Sequence, residues 1–394
     1  MKIAHLSTGI SGGAAITART LAGIQGKFGH DAQIFTREKK LSPQASAKSK
    51  ISTFISLANA TKEYVQVTHF SSLGADLELI RSFNPDVIFI HNWFNLLREK
   101  DIVSISHEFP IVFVAHDARL ATGGCHVTLG CKNFETGCLN CPATRVDWFA
   151  SSAKRSLDSM VNQLGEYAIV TPSNWLMNEI SEAPIITKAK ITKVIANPSE
   201  VLEHIRENQQ MISGKRFKII FVAASLDSKY KGLDILLESL SLLESYLEST
   251  QIIDVSVIGD GKSSKDFPSE SKVKYTYLGK QNAFQVHHLI RESDLLVVPS
   301  RSENFPGVIG EAQLLGCAVA ASNVGGIPEM IEDGVSGFLF EPKAQECMKA
   351  IMRAINMPTL DRVKKIARER ALVRHDAGRI NLEYEVVIKE LLKS

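Results

Sequence analysis

The most specific chemistry in the sequence sits on two glutamates and two lysines. Ser300-Arg301-Ser302-Glu303-Asn304-Phe305-Pro306-Gly307-Val308-Ile309-Gly310-Glu311 follows a short apolar run, Asp294–Pro299. Pro306 suits the first position of a helix, because its missing N–H would have no partner there anyway. The amides of Gly307, Val308 and Ile309 then face outward at the positive end of the helix dipole, a place that suits a phosphate. Glu303 falls in the loop before that helix and Glu311 on its second turn. Two such carboxylates can accept hydrogen bonds from the hydroxyls of a sugar and a ribose. An earlier apolar run, Phe217–Ala223, ends in Ser225-Leu226-Asp227-Ser228-Lys229-Tyr230-Lys231-Gly232. Lys229 and Lys231, at the carboxyl end of a strand, can neutralise a departing diphosphate. Fixed cations and donors are the best answer to charge that develops in a transition state.

Further candidates lie after other strand-like runs. Ser7-Thr8-Gly9-Ile10-Ser11-Gly12-Gly13-Ala14-Ala15 ends the first run with small residues that let a backbone approach an anion. Its glycines do not have GxGxxG spacing, and the next strand, AQIFTR, lacks the acid that would hold a ribose, which argues against a dinucleotide fold. Gly259-Asp260-Gly261 and Gly325-Gly326-Ile327-Pro328-Glu329 add flexible loops in equivalent places. His91-Asn92-Trp93-Phe94 and His116-Asp117 follow two more strands; Trp93 either stacks on a sugar or packs in the core. His5, inside the first strand, reads as buried structure.

Four of the six cysteines, Cys125, Cys131, Cys138 and Cys141, fall in the spacing C-x5-C-x6-C-x2-C. In a reducing compartment such a cluster favours a metal over disulfides. Four thiolates suit tetrahedral Zn²⁺, with an iron–sulfur cluster or four free thiols as alternatives, and His126 able to replace one thiolate. The expected role is structural, shaping acceptor binding.

These residues need a scaffold with many strand ends on one edge. A chain of 394 residues is long enough for two or three domains. Its composition, 44% hydrophobic and 22% charged with 25 Gly and 13 Pro, excludes collagen-like, coiled-coil and wholly disordered chains. A net charge of +2 does not suggest a nucleic-acid binder. The first half is mildly basic, which leaves room for peripheral contact with an anionic membrane surface. No run reaches the length of a membrane helix, and the N-terminus MKIAHLSTG lacks a signal-peptide pattern, so a cytoplasmic protein is expected.

Strand-like runs at Lys2–Ser7, Ala32–Thr36, Asp86–His91, Ile111–His116, Tyr167–Thr171 and Ile191–Ala196 alternate with helix-like segments. A second set lies at Phe217–Ala223, Ile252–Gly259, Val273–Leu278, Asp294–Pro299 and Cys317–Ala321. Short continuous Val- and Ile-rich runs of this kind are strands buried on both faces of a parallel sheet. The expected fold is α/β, with two Rossmann-like doubly wound parallel-sheet domains facing across a cleft. The boundary falls near Asn197-Pro198, giving domains 1–197, with a cysteine-rich insertion at 120–145, and 198–394. A terminal helix at 379–392 is apolar at Ile380, Tyr384, Val387 and Leu391 and offers a face that can pack back on the first domain. Residues 38–60, rich in Ser and Lys, read in part as a mobile loop.

The segment SDLLVVPSRSENFPGVIGEAQLLGCAVAASNVGGIPEMIEDGVSGFLF resembles the signature region of glycosyltransferase family four, including its E-x7-E pair at Glu303 and Glu311. That resemblance covers nearly the whole chain and implies the GT-B fold, with an acceptor-binding first domain and a second domain that binds a nucleotide sugar. It implies retaining transfer of a sugar from a UDP- or GDP-linked donor to a saccharide or lipid-linked saccharide. It places Glu303 on the donor sugar, Glu311 on the ribose and Lys231 on the phosphates. Gly12 and Gly13 fall near the phosphates and the acceptor, and His116 near the reacting sugar. Asn304, Phe305, Pro306, Gly307 and Val308 line the donor side, and Trp93 and Asp117 the acceptor side.

The family usually has Gly-Arg where this chain has Ala224-Ser225, with that Arg on the phosphates; Lys229 is the available substitute charge. No two aspartates are separated by a single residue, so the metal-binding DxD motif of the other large glycosyltransferase fold is absent. The family needs no catalytic cofactor and no divalent metal at the diphosphate. The cysteine segment, HDARLATGGCH and onward, is similar to one in a subset tied to bacterial surface-polysaccharide synthesis, with Arg119 where that subset has Trp. Two other readings compete: a nucleotide-sugar epimerase or hydrolase of the same fold, and a non-catalytic nucleotide-binding partner subunit.

Overall fold

The computed structural model describes residues 1–9, 12–36, 77–94, 96–199, 201, 216–261 and 272–393. The loop expected at 38–60 and most of the polar stretch after Ser199 lie outside these residues. The chain divides into two compact units. One is Met1–Pro198 together with Asp376–Ser394, and the other is Ser199–His375. The terminal segment, whose apolar face offered to pack back on the first domain, groups with the first unit.

The first unit is built on a parallel sheet of β1 (Lys2–Ser7), β2 (Asp31–Thr36), β3 (Val87–Asn92), β4 (Ile111–Val114), β5 (Tyr167–Thr171) and β6 (Ile191–Val194). Their order is β2-β1-β3-β4-β5-β6. Alternate side chains of a strand point to opposite faces. Leu6, Ile88, Ile90, Ile111, Phe113 and Ile169 accordingly fill a core on one face. Ile3, Val87, Phe89, Val112, Val114 and Val170 fill another on the opposite face, under Ile380, Tyr384, Val387, Ile388 and Leu391 of the helix Ala377–Leu391. Fully burying one such aliphatic side chain contributes about 2 kcal/mol, so these four and the Tyr384 ring fix that helix firmly to this sheet. Asp376 caps it, its carboxylate accepting from the Arg379 amide at 2.7 Å.

The second unit repeats the plan with β7 (Arg216–Ser225), β8 (Ile252–Asp260), β9 (Val273–Gly279), β10 (Leu295–Val298), β11 (Ala318–Ser322) and β12 (Phe338–Phe340). The order is β12-β11-β10-β7-β8-β9, and every printed pairing is parallel. In both sheets the strand order reverses beside the first strand, so connections leave in opposite directions there. That is the point where loops at the carboxyl edge part and leave room for a ligand. In the first unit it lies beside β1 and β3; in the second it lies beside β7 and β10.

Candidate functional site

In the second unit that edge carries Lys231 and Glu303. Lys231 sits in a short 3-10 turn, Lys229–Lys231, after β7; Glu303 sits in the loop after β10. The Lys231 Nζ donates to Glu303 Oε1 at 2.6 Å, and Ser300 Oγ donates to the same oxygen at 3.0 Å. The Lys231 ammonium also lies 5.0 Å from the centre of the Tyr230 ring. Burial pushes the Lys231 pKa down, but Glu303 and Tyr230 outweigh it and hold the ammonium above its ordinary value. The lysine is therefore a fixed cation, and the glutamate a fixed acceptor beside it.

Two glycines allow this approach. Gly232 takes φ +74°, and a Cβ there would stand 1.9 Å from the Pro299 carbonyl oxygen. Gly325 takes φ +60°, and a Cβ there would stand 1.6 Å from the Glu303 carbonyl oxygen. The Gly326 amide donates to that same carbonyl at 3.2 Å. A side chain at Gly232 would push the lysine turn away from the end of β10, and one at Gly325 would push the Glu303 loop away from the loop after β11.

Glu303 is followed by the helix Gly307–Leu314, with Pro306 as its N-cap, one position earlier than the sequence suggests. The shift matters for the amides. Ile309 donates its N–H to the Pro306 carbonyl at 3.1 Å, so it does not face outward as expected; the helix opens with Gly307 and Val308. Glu311 lies close under that opening, its Oε1 3.6 Å from where a Cβ of Gly307 would be. Behind it the buried His287 places Nε2 3.6 Å from Glu311 Oε2. Phe305 is buried edge-on to His375 with ring centres 6.2 Å apart. Asn304 is half-buried beside it.

Ser225 ends β7 in the position of the missing arginine and is exposed, as is Lys229. Sequence reasoning passed over Arg301. Its Nη1 donates to the Lys229 carbonyl at 2.6 Å, and it clasps Asp234 with Nη1–Oδ1 2.8 Å and Nη2–Oδ2 2.6 Å. Its backbone N–H donates to the Tyr230 carbonyl at 2.7 Å. The guanidinium thus holds the lysine turn in place. Its charge is matched by Asp234.

The first unit brings other candidates to its own carboxyl edge. Gly12 has φ +91° and caps the helix Gly13–Lys27. His116 follows β4 and its Nε2 lies 3.1 Å from His91 Nδ1. Burial depresses the His116 pKa to about 4; Asp117 opposes this and Arg119 adds to it. Asp117 is gripped by Arg119, whose Nη2 reaches Oδ2 at 2.6 Å and whose backbone amide reaches Oδ1 at 2.9 Å. Burial raises the Asp117 pKa, but Arg119 more than offsets this and holds the carboxyl below its ordinary range. Arg119 also stacks over Phe94, 4.7 Å from the ring centre. The Asp117 carboxylate is thereby spent on Arg119.

Trp93 takes one of the two readings that the sequence left open, the core. It is 5% exposed, stacked on Phe94 at 4.5 Å and edge-on to Phe113 at 5.8 Å. The chain turns inward after β3 and uses this indole for the core, so it is no platform for a sugar.

The cysteine segment bears on the metal expected there. Among the described residues no group of three His, Cys, Asp or Glu side chains is placed to hold a metal ion, and none of the four cysteines is in a disulfide. The Cys125 and Cys141 side chains hydrogen-bond each other, and that bond draws the Cys141 pKa down to about 6. Cys138 is buried, which pushes its thiol up to about 12. Ordinary hydrogen bonds hold the segment instead. Thr122 Oγ1 accepts from the Cys125 amide at 2.9 Å, and Asn133 Nδ2 donates to the Leu139 and Asn140 carbonyls at 3.0 and 3.1 Å.

Two parallel doubly wound sheets, with a lysine–glutamate pair before a helix opening, define a GT-B-fold protein. Residues 202–370 match the family described as Glycosyl transferases group 1. It is 34% identical over 161 residues to an uncharacterized 41.2 kDa protein in the cps region of Klebsiella pneumoniae, covering 39% of this chain and 42% of that protein. It is 29% identical over 166 residues to the lipopolysaccharide 1,2-N-acetylglucosaminetransferase of Salmonella typhimurium, again 39% of this chain and 42% of the relative. The match thus spans less than half the length of these curated relatives.

Among solved structures, sucrose-phosphate synthase from Thermosynechococcus elongatus superimposes with a TM-score of 0.68 at 15% identity, over 99% of both chains. Anabaena HepE, solved with UDP and glucose, superimposes with a TM-score of 0.63 at 19% identity, also over 99% of both chains. Among the described residues no helix is long and apolar enough to cross a membrane.

Proposed function

We propose that this protein is a retaining glycosyltransferase of family four. It moves a sugar from a UDP- or GDP-linked donor to a saccharide or lipid-linked saccharide in bacterial polysaccharide synthesis. The observation that carries this reading is the Lys231–Glu303 pair set directly before the helix Gly307–Leu314.

The chemistry follows from those groups. A nucleoside diphosphate needs cations and amide donors; Lys231, Lys229, Gly307 and Val308 supply them. A sugar needs acceptors for its hydroxyls; Glu303, released from Lys231 as the phosphate takes the ammonium, supplies one, and Glu311 serves the ribose. As the bond from the anomeric carbon to the diphosphate breaks, negative charge grows on the leaving oxygen. A preorganised ammonium and helix dipole meet that charge without reorganising. Such a site does the work that a divalent ion does elsewhere, and we assign the reaction no metal at the diphosphate and no cofactor.

The first unit takes the acceptor side, through Gly12, Gly13 and His116. HepE, of the same fold, was solved with UDP and glucose, which supports a uridine donor. The lipopolysaccharide relative supports a saccharide acceptor. The same reading sets the protein in the cytoplasm, with peripheral contact at the inner membrane face where the acceptor is lipid-linked.

Calorimetric titration with UDP and GDP tests the donor site. One of the two should bind wild-type protein and bind Lys231→Met at least about tenfold more weakly, since a charged hydrogen bond is worth about 1.5–3 kcal/mol. Equal binding to both proteins removes Lys231 from the phosphate. Tight binding without turnover on any acceptor selects the non-catalytic alternative.

A further inference from the structure

Three imidazoles stand in a line through the first unit, and the strand register explains why. His5 on β1 pairs opposite Phe89 on β3, so His91, two residues on, shares its face one step nearer the carboxyl edge. Ile90 pairs opposite Phe113 on β4, which puts Val114 opposite His91 and His116 one further step along the same face. Each change of strand thus moves the histidine two residues toward the edge. The rings of His5 and His91 stack with centres 5.3 Å apart, as do those of His91 and His116. His5 Nδ1 lies 3.0 Å from His91 Nε2, and His91 Nδ1 lies 3.1 Å from His116 Nε2. At the inner end His5 Nε2 lies 2.7 Å from the Oε1 of Gln25, on the helix Gly13–Lys27.

Proton counting gives this line a direction. A neutral imidazole has one N–H and one lone pair. Gln25 Oε1 can only accept, so His5 must donate from Nε2 and offer a lone pair at Nδ1. His91 must then donate from Nε2 and accept at Nδ1. His116 must in turn donate from Nε2, which makes its Nδ1 an acceptor. An extra proton on His5 or His91 would turn the rings beyond it round and leave His116 in the Nδ1–H form, so the direction holds while both are neutral. Burial keeps them so: it lowers His5 to about 4 and His91 well below its ordinary value.

We infer that Gln25, His5 and His91 form a tautomer relay that holds His116 in the Nε2–H form, so that Nδ1 receives hydrogen bonds. Gln25, His5 and His91 are positioning residues acting through His116. A hydroxyl of the saccharide arriving at His116 meets an acceptor, and the histidine adds no cation for the diphosphate. The saccharide as ligand rests on the glycosyl-transfer reading; the tautomer itself does not.

The test is a long-range proton–nitrogen NMR spectrum of full-length protein labelled with ¹⁵N-histidine at neutral pH, assigned with single His→Gln variants. His5, His91 and His116 are expected as Nε2–H tautomers. Gln25→Met removes the acceptor and keeps the volume. It should turn His5, His91 and His116 into tautomer mixtures, leave the signals of histidines outside the line in place, and lower kcat about tenfold or more while the donor Kd stays unchanged, since a misplaced imidazole tautomer cripples proton-handling sites. A His116 found as Nδ1–H or as a mixture in wild-type protein overturns the relay, whether or not Gln25→Met folds. So does a His116 tautomer that Gln25→Met leaves unmoved. Expected tautomers in a protein that transfers no sugar would leave the relay standing and remove the function assigned to it.

Discussion

Lys231 donates to Glu303 at 2.6 Å across 72 positions of sequence, and each occupies the place a ligand group would take from the other. The ammonium waits for a phosphate, and the carboxylate waits for a hydroxyl. Because Glu303 raises the Lys231 pKa, the ion pair's stabilisation is fully present below the unfolded lysine value of 10.5 and is lost as pH rises beyond it through the folded value. Denaturant unfolding of wild-type and Glu303→Gln protein should therefore differ by a constant amount from neutral pH to about 10, and the difference should shrink above that. A difference that grows with alkaline pH would contradict the pairing.

The glycines that admit this contact predict a stability effect. Gly232→Ala and Gly325→Ala each place a Cβ inside a neighbouring carbonyl at a positive φ. Each should cost more than about 1–3 kcal/mol and abolish nucleotide binding. Chemical denaturation and calorimetry check both; a Gly325→Ala protein that binds nucleotide normally would show that the Glu303 loop does not depend on this approach.

Arg301 predicts a split between affinity and stability. Its pair with Asp234 is largely solvent-exposed, and such pairs are worth at most about 1 kcal/mol. Arg301→Leu should melt near the wild-type temperature but bind the donor about tenfold more weakly, because the turn bearing Lys229 and Lys231 loses its anchor. Unchanged affinity would return Arg301 to the solvated surface.

The histidine line predicts acid sensitivity. His5 and His116 have folded pKa values of about 4 against 6.5 unfolded, so below 6.5 the unfolded chain binds more protons. Stability should fall as pH drops from 6.5 to 4, by up to about 1.4 kcal/mol per pH unit for each histidine. Melting curves across this range should flatten in His5→Gln. An unaltered slope would mean that His5 is not a group held neutral by the fold.

The fold was legible where strand signals are strongest. Both sheets stand in the sequence as Val- and Ile-rich runs between helical segments, and the ends agree within a residue or two at β1, β5 and β8. The three-residue β12 was passed over because Phe338–Phe340 is too short to show alternation. The places of Lys231 and Glu303 after strand ends were legible because each follows its strand within a few residues, but the pairing across 72 positions was not. Arg301 was not, since its partners Lys229 and Asp234 lie far away in sequence and its place in the SRSENF segment carries no mark. Trp93 was left open because a residue following a strand can turn inward as readily as outward. For the cysteines, spacing told only that the thiols are near one another, as Cys125 and Cys141 are. His5 was read correctly as buried, yet its partners emerge only from the register that sets it beside His91.

The most direct test is the rate of nucleoside diphosphate release from UDP- and GDP-linked sugars, with and without a bacterial membrane-lipid and oligosaccharide extract, for wild-type and Glu303→Ala protein of equal melting temperature. The account predicts release from one donor that depends on the extract, with the labelled sugar recovered on the acceptor and the rate at least about a hundredfold lower in Glu303→Ala. Equal rates in the two proteins, or full-rate release without extract and with free sugar as the product, would contradict it.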